Sequence, residues 1–303
     1  METKNLIPLL AMPLLLLAVE AGAVLLSLPV QASGITAFED PSSMENPLIF
    51  IAILLGFTIF LLILIKFNLK KVIAAVIGIS IFFTFAYIYA ALVYAGMGAT
   101  DAATIIVLVV AALSTLLLYK FPEWYVIDAL GVLIGAGVAS IFGVSLEVVP
   151  VVVLLIILAV YDAISVYKTK HMITLAEGVV DLKTPILFVI PKRRDYSFIK
   201  EGIGKISGEN EGEGKGERAA FIIGMGDLIM PAILVVSANV FTKSMLLGGL
   251  IRLPALGAII GSVLGLVLLL YFVMSGKPQA GLPPINGGTI LGFLVGWAAV
   301  GWV

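Results

Sequence analysis

Two acids in this chain stand inside apolar runs, where acids are costly. An ionisable side chain in the middle of a membrane-spanning helix costs about 2.5 to 3.5 kcal/mol on insertion scales, so its presence asks for a reason. Asp162 lies six residues before Lys168, and Asp227 nine residues after Arg218. At helical rise these offsets put the two carboxylates about 9 Å and about 13 Å below the same boundary. Their runs are consecutive and antiparallel, so the acids reach similar depth and can face each other. Close carboxylates in a low dielectric cannot both ionise cheaply, and the pair therefore holds one proton. Such a pair can perform aspartic proteolysis, one carboxylate taking a proton from attacking water while the other donates to the amide oxygen. It can equally line a proton or cation path in a transporter, or form a structural hydrogen-bonded pair. Depth alone leaves all three open.

The residues around the second acid narrow the choice. Asp227 ends the run Gly224-Met225-Gly226-Asp227, and Pro231 follows four residues later. Proline has no N–H, so the helical bond to the Asp227 carbonyl is missing, and two glycines loosen the preceding turn. An irregular helix around the acid is expected, with bare backbone at 224 and 226 open to the approach of another chain, as peptide cleavage requires. Tight helix packing is the other use of such glycines. Two further acids read differently. Asp128 follows Lys120 and Glu123 and reads as a solvated helix end. Glu20, deep in the first run, reads as a cavity-lining group or the partner of a polar neighbour.

The elements that must position these groups are membrane spans. The 303 residues are 61% hydrophobic and only 12% charged, with a mean hydropathy of +1.18, which excludes a water-soluble surface. A net charge of −1 leaves no basic field for nucleic acid. The absence of cysteine removes disulfides, thiolate nucleophiles, iron–sulfur clusters and cysteine zinc sites. A single histidine, His171, cannot build the two-histidine helical motif of zinc proteases, so no metal site is expected.

Each span needs roughly 20 apolar residues. Nine runs qualify, at roughly 6–28, 47–65, 72–96, 102–119, 125–144, 149–167, 219–241, 249–273 and 285–303. An all-α, polytopic membrane helical bundle with nine transmembrane helices follows. Lys and Arg accumulate on the cytoplasmic side. With a cytoplasmic N-terminus, 16 of the 18 basic residues fall inside and only Lys243 and Arg252 outside, which puts the C-terminus outside. The chain divides into a six-helix part (1–168), a cytoplasmic loop (169–218) and a three-helix part (219–303). Within the loop, His171 to Pro191 is half apolar and is expected to lie at the interface or pack on the bundle, whereas Glu201 to Arg218 is Gly/Glu/Lys-rich and too polar to fold alone.

With Tyr161-Asp162 on the sixth span and Gly224-Met225-Gly226-Asp227 on the seventh, the chain resembles the presenilin and signal peptide peptidase family of intramembrane aspartyl proteases, whose members carry Tyr-Asp and Gly-x-Gly-Asp on those spans. The resemblance covers nearly the whole chain in topology and is most specific from about 150 to 303. It implies that Asp162 and Asp227 are catalytic, that Tyr161, Gly224, Met225 and Gly226 help position substrate, and that no cofactor is needed. The family's Pro-Ala-Leu motif precedes the ninth span. A literal copy, Pro254-Ala255-Leu256, starts the eighth span on the wrong side of the membrane, so Ala280, Gly281, Leu282 and Pro283 are taken as the degenerate counterpart. Prolines there forbid regular helix and leave backbone groups free for an extended substrate.

The charge distribution gives a presenilin-like orientation, while Met230-Pro231 and the segment from Tyr161 to Pro191 look as much like signal peptide peptidase. The mixture suits a microbial, archaeal-type homologue in the cell membrane, working alone or as a homo-oligomer on single-span membrane proteins or peptides. The expected activity is intramembrane aspartic proteolysis, with a proton-coupled transporter as the alternative.

Overall fold

The computed structural model describes residues 6–169, 187–193, 195–201, 220–244, 246–273 and 279–300. The segment from Lys170 to Ile186, which includes His171, and the Gly/Glu/Lys-rich linker lie outside the described residues. Long helices carry the fold: α1 (Leu6–Ser33), α2 (Glu45–Lys66), α3 (Lys70–Met97), α4 (Asp101–Lys120), α5 (Trp124–Ser145), α6 (Val148–Ile164), α7 (Met225–Phe241), α8 (Leu253–Val273) and α9 (Leu282–Val300). Among the described residues seven helical stretches are long and apolar enough to cross a membrane: α1 to α5, α6 together with the turn that continues it to Lys168, and α8. The protein is thus an all-α, multi-pass membrane bundle. Of the other two, α7 has 17 residues, and α9 carries Pro283, Pro284 and Asn286 in its first turns.

Burial sorts the helices into a periphery and a centre. α2 exposes Ile53, Phe57, Ile59 and Phe60, an apolar surface suited to lipid rather than water. α7 is the opposite case. All eight residues from Pro231 to Ala238 are buried, enclosed by α1, α5, α6, α8 and α9. A helix that is apolar all round and covered all round is a core element. The helix bearing Asp227 is therefore the most enclosed in the bundle.

The pair α8 and α9 packs more extensively than any other. Gly257, Gly261 and Gly265 of α8 recur every fourth residue and meet Gly292, Gly288 and Pro284 of α9 backbone to backbone. Lipid is as apolar as leucine, so helices in a bilayer associate through such close contacts rather than through a hydrophobic driving force. A Cβ at Gly261 would collide with the Gly288 carbonyl, which is backbone and cannot swing aside. Gly261→Leu is expected to destabilise the fold by about 1 to 3 kcal/mol, the usual cost of overpacking, and to lower the melting temperature in detergent.

The first described residues of the seventh apolar run are not helical. Ala220–Gly224 is a strand, β2, paired antiparallel with β1 (Leu187–Pro191) in the register Leu187↔Gly224 and Pro191↔Ala220. Phe221, Ile222 and Ile223 are aromatic and β-branched types that suit a pleated surface. Gly224 is extended (φ −64°, ψ 137°), and the helix starts at Met225. Phe188, Val189 and Ile190 of β1 are buried, and Phe188 packs against Gly131 of α5, so this part of the loop docks on the bundle. At the far end of α7, β3 (Leu246–Leu247) and β4 (Ile251–Arg252) form a second small ribbon. The α8 helix accordingly begins at Leu253 rather than at 249.

Candidate active site

Asp227 sits in the first turn of α7, two residues after its start, and Asp162 in the last turn of α6. The α6 helix does not end there as α-helix but widens into one π-helical turn, Ser165–Thr169, with the Ser165 hydroxyl donating to the Tyr161 carbonyl at 2.8 Å. The Asp162 side chain is buried. Its Oδ2 accepts a hydrogen bond from the Leu282 amide at 3.0 Å, and the Gly281 amide acts on the same carboxylate. Those amides belong to the segment leading into α9, whose first N–H groups have no helical partner and are free to serve an anion.

Gly281 also fixes the second acid. A Cβ built on it would stand 2.9 Å from Asp227 Oδ2, 3.1 Å from Cγ and 3.3 Å from Oδ1, so the bare α-carbon lies directly against that carboxylate. The dipeptide Gly281-Leu282 therefore touches both acids, its amide on Asp162 and its bare α-carbon on Asp227. Acids 65 residues apart in sequence are brought together by a third segment that belongs to neither helix.

The remaining sequence-derived positions fall around this centre in different ways. Gly224 flanks Asp227, and a Cβ there would approach Oδ2 to 3.4 Å, an ordinary contact. Gly226 is exposed, with open space where a side chain would be. Met225 is buried and packs on Gly131 of α5. Tyr161 is half-buried. Ala280 is buried, while Leu282 and Pro283 are half-buried at the start of α9. Pro254 lies at the opposite end of α9, lining a cavity of about 510 Å³ with Phe241 and Trp297.

One of the other acids differs from its sequence reading. Asp128 is not a solvated helix end. Its Oδ1 accepts a 2.8 Å hydrogen bond from the Val189 amide in the middle of β1, because the strand docks against α5 and covers that face. Glu123 does the same one turn earlier, accepting from the Ser197 hydroxyl at 2.7 Å and the Phe198 amide at 3.0 Å. Together they clamp the β1 segment, and with it β2 and the entry into α7. Glu20 is fully buried with Ser262 as its polar neighbour, one of the two settings its sequence position suggested.

Asp128→Ala strands the buried Val189 N–H, at a cost of about 1 to 3 kcal/mol. The ribbon ahead of Asp227 should loosen, lowering cleavage about tenfold. Asp128→Asn keeps an acceptor oxygen and should restore most of that loss. Parallel rate measurements on the two variants check this.

Comparison with known proteins agrees with the geometry. A family model described as signal-peptide peptidase, presenilin aspartyl protease matches residues 12–302. A solved structure of a presenilin family intramembrane aspartate protease, in space group C222, is 50% identical and superposes with a TM-score of 0.71, covering 96% of this chain and 99% of that one. A second, in space group P2, is 51% identical with a TM-score of 0.69, covering 96% and 98%. No curated protein matches. The chain belongs to the signal-peptide peptidase and presenilin family of aspartyl proteases. It is an intramembrane aspartic endopeptidase and an integral, multi-pass membrane protein, and family membership decides against the transporter.

Proposed function

We propose that Asp162 and Asp227 are the catalytic pair and hydrolyse a peptide bond of a single-span membrane substrate by shared general acid and base chemistry. One carboxylate takes a proton from the attacking water while the other donates to the carbonyl oxygen of the scissile amide. The acid that took the water proton then gives it to the amide nitrogen as the C–N bond breaks, the other carboxylate takes back a hydroxyl proton from the collapsing intermediate, and the pair returns to its singly protonated state. The observation that carries this reading is the Gly281-Leu282 dipeptide, which donates an amide to Asp162 and lays its bare α-carbon on Asp227.

The other parts follow from this centre. Gly226, with open space beside it, gives an extended substrate backbone a way to the acids. Ala280, Gly281, Leu282 and Pro283 hold the acids' far side, Gly224 borders Asp227, and Tyr161 positions Asp162 or lines the cleft. Met225 contributes by seating the start of α7 on α5. Proton transfer between two carboxylates and water needs no metal or organic cofactor. The nine helices all cross the bilayer in this reading, with the N-terminus cytoplasmic and the acids toward the inner leaflet. A microbial, archaeal-type enzyme of this build works in the cell membrane alone or as a homo-oligomer.

A fully hydrogen-bonded substrate helix hides its amides, so it must unwind at the scissile bond. Purified protein with a single-span peptide tests the reading by mass spectrometry of the products. A glycine pair placed at the cleaved position should raise the rate about threefold to tenfold, since each glycine weakens the helix by about 1 kcal/mol. A rate indifferent to substrate helicity counts against it.

A further inference from the structure

The segment before α9 must be held still if its amide and its α-carbon are to stay on two acids at once. Three ties bind this segment and the first turns of α9 to α6 and its π-helical continuation, and they run in antiparallel order. The Asn286 side-chain amide donates to the Leu155 carbonyl at 3.1 Å, the Leu282 amide to Asp162 at 3.0 Å, and the Tyr167 hydroxyl to Gln279 Oε1 at 2.9 Å. The same hydroxyl accepts from the Ala280 amide at 3.3 Å. Asp162 thus lies between two flanking ties, a buried one through Asn286 and an outer one through Tyr167.

The outer tie depends on the π-helical turn. Tyr167 is the middle residue of Ser165–Thr169, and a wider turn changes the direction of every side chain within it relative to the α-helix it continues. Among the described residues, the hydrogen bonds between side chains and residues 279–282 run to Tyr167 and Asp162. Without the hydroxyl, Gln279 and Ala280 lose these two hydrogen bonds.

We infer that Tyr167 is a positioning residue for this protease: its hydroxyl, bridging Gln279 and Ala280, holds Gly281 and Leu282 in register with the two aspartates. The inference rests on the paired-aspartate reading. The tyrosine does not touch the reacting atoms. It acts through the segment it holds, so its loss slows the chemical step and leaves initial substrate binding intact. Displacement of a catalytic element by about 1 Å is enough to lower turnover substantially.

The test uses the full chain in detergent with a single-span peptide substrate, comparing Tyr167→Phe, Gln279→Ala and the double variant, with melting curves for each. Each single variant should lower kcat about fivefold to tenfold with KM within about twofold of wild type. The double variant should be no slower than the slower single, because both remove one tie. A residue with only a structural role would lower the melting temperature and spare kcat. The inference is overturned if kcat of Tyr167→Phe stays within about twofold of wild type, if only KM changes, or if the two losses multiply. Should Tyr167→Phe show no folding transition, Gln279→Ala decides by the same criteria. Asp162→Asn and Asp227→Asn run alongside. If they cleave normally, the paired-aspartate reading fails and this inference with it. If they are inactive while both tether variants run at full rate, the tether alone is refuted.

Discussion

Asp162→Asn and Asp227→Asn, each alone, are expected to reduce cleavage by at least about 10³-fold. Asparagine keeps the size of the side chain and an acceptor oxygen, so the packing around Asp162, which is buried, and around α7 is preserved. What it removes is the ability to take or give a proton. General acid and base groups contribute about 10² to 10⁴ each, and when two act as one unit the loss of either is nearly the loss of both. The double variant should therefore be little worse than either single. Additive losses would mean that the acids work independently. Unchanged melting behaviour of the Asn variants separates this result from unfolding, and product analysis by mass spectrometry supplies the rate.

The second large effect is expected at Gly281, where the change is steric. Gly281→Ala places a methyl group 2.9 Å from Asp227 Oδ2, closer than real Cβ contacts come. Either the Asp227 carboxylate swings away or the segment withdraws and takes the Leu282 amide off Asp162. Both routes separate the acids from their common support. Turnover should fall about 10²-fold, the cost of misplacing reacting groups by about 1 Å, with little change in melting temperature. Gly226→Ala is the comparison. A Cβ at 226 meets nothing within 4 Å, so any loss there reports on the approach of substrate and not on the acids. A Gly281→Ala enzyme within about threefold of wild type would refute the close-contact account.

Much of this architecture was legible because charges and helix breakers bound the spans. The ends of α2, α3, α4 and α5 lie within two residues of their sequence-derived limits, set by Lys66, Lys70, Asp101, Lys120 and their neighbours. The two acids were legible for the converse reason: a charge inside an apolar run has few structural excuses. Position alone favoured Gly281 and Leu282 over Pro254, and those two residues do lie against the acids.

What escaped was whatever hydropathy cannot distinguish. Ala220-Phe221-Ile222-Ile223 is apolar as helix or strand, and only its pairing with residues 29 to 35 positions earlier makes it β2. Asp128 looked solvated because Lys120 and Glu123 stand nearby in sequence, yet its partner is the Val189 amide, 61 residues away. Tyr167 gave no signal at all, since a tyrosine near a span end is ordinary at an interface and its bond to Gln279 closes a separation of 112 residues. The backbone contacts between α8 and α9 depend on two glycine rows meeting, and each row alone is commonplace.

The most direct measurement is the binding of a substrate-like peptide whose scissile amide is replaced by a secondary alcohol, a mimic of the tetrahedral intermediate, to the wild-type protein and to each Asn variant. Transition-state mimics bind about 10² to 10⁸ times tighter than substrate when the groups that stabilise the intermediate are in place. Two acids acting jointly on one carbon predict tight binding by the wild type and a loss of at least about 100-fold in both Asp162→Asn and Asp227→Asn. Equal affinity of wild type and either variant would contradict a shared site.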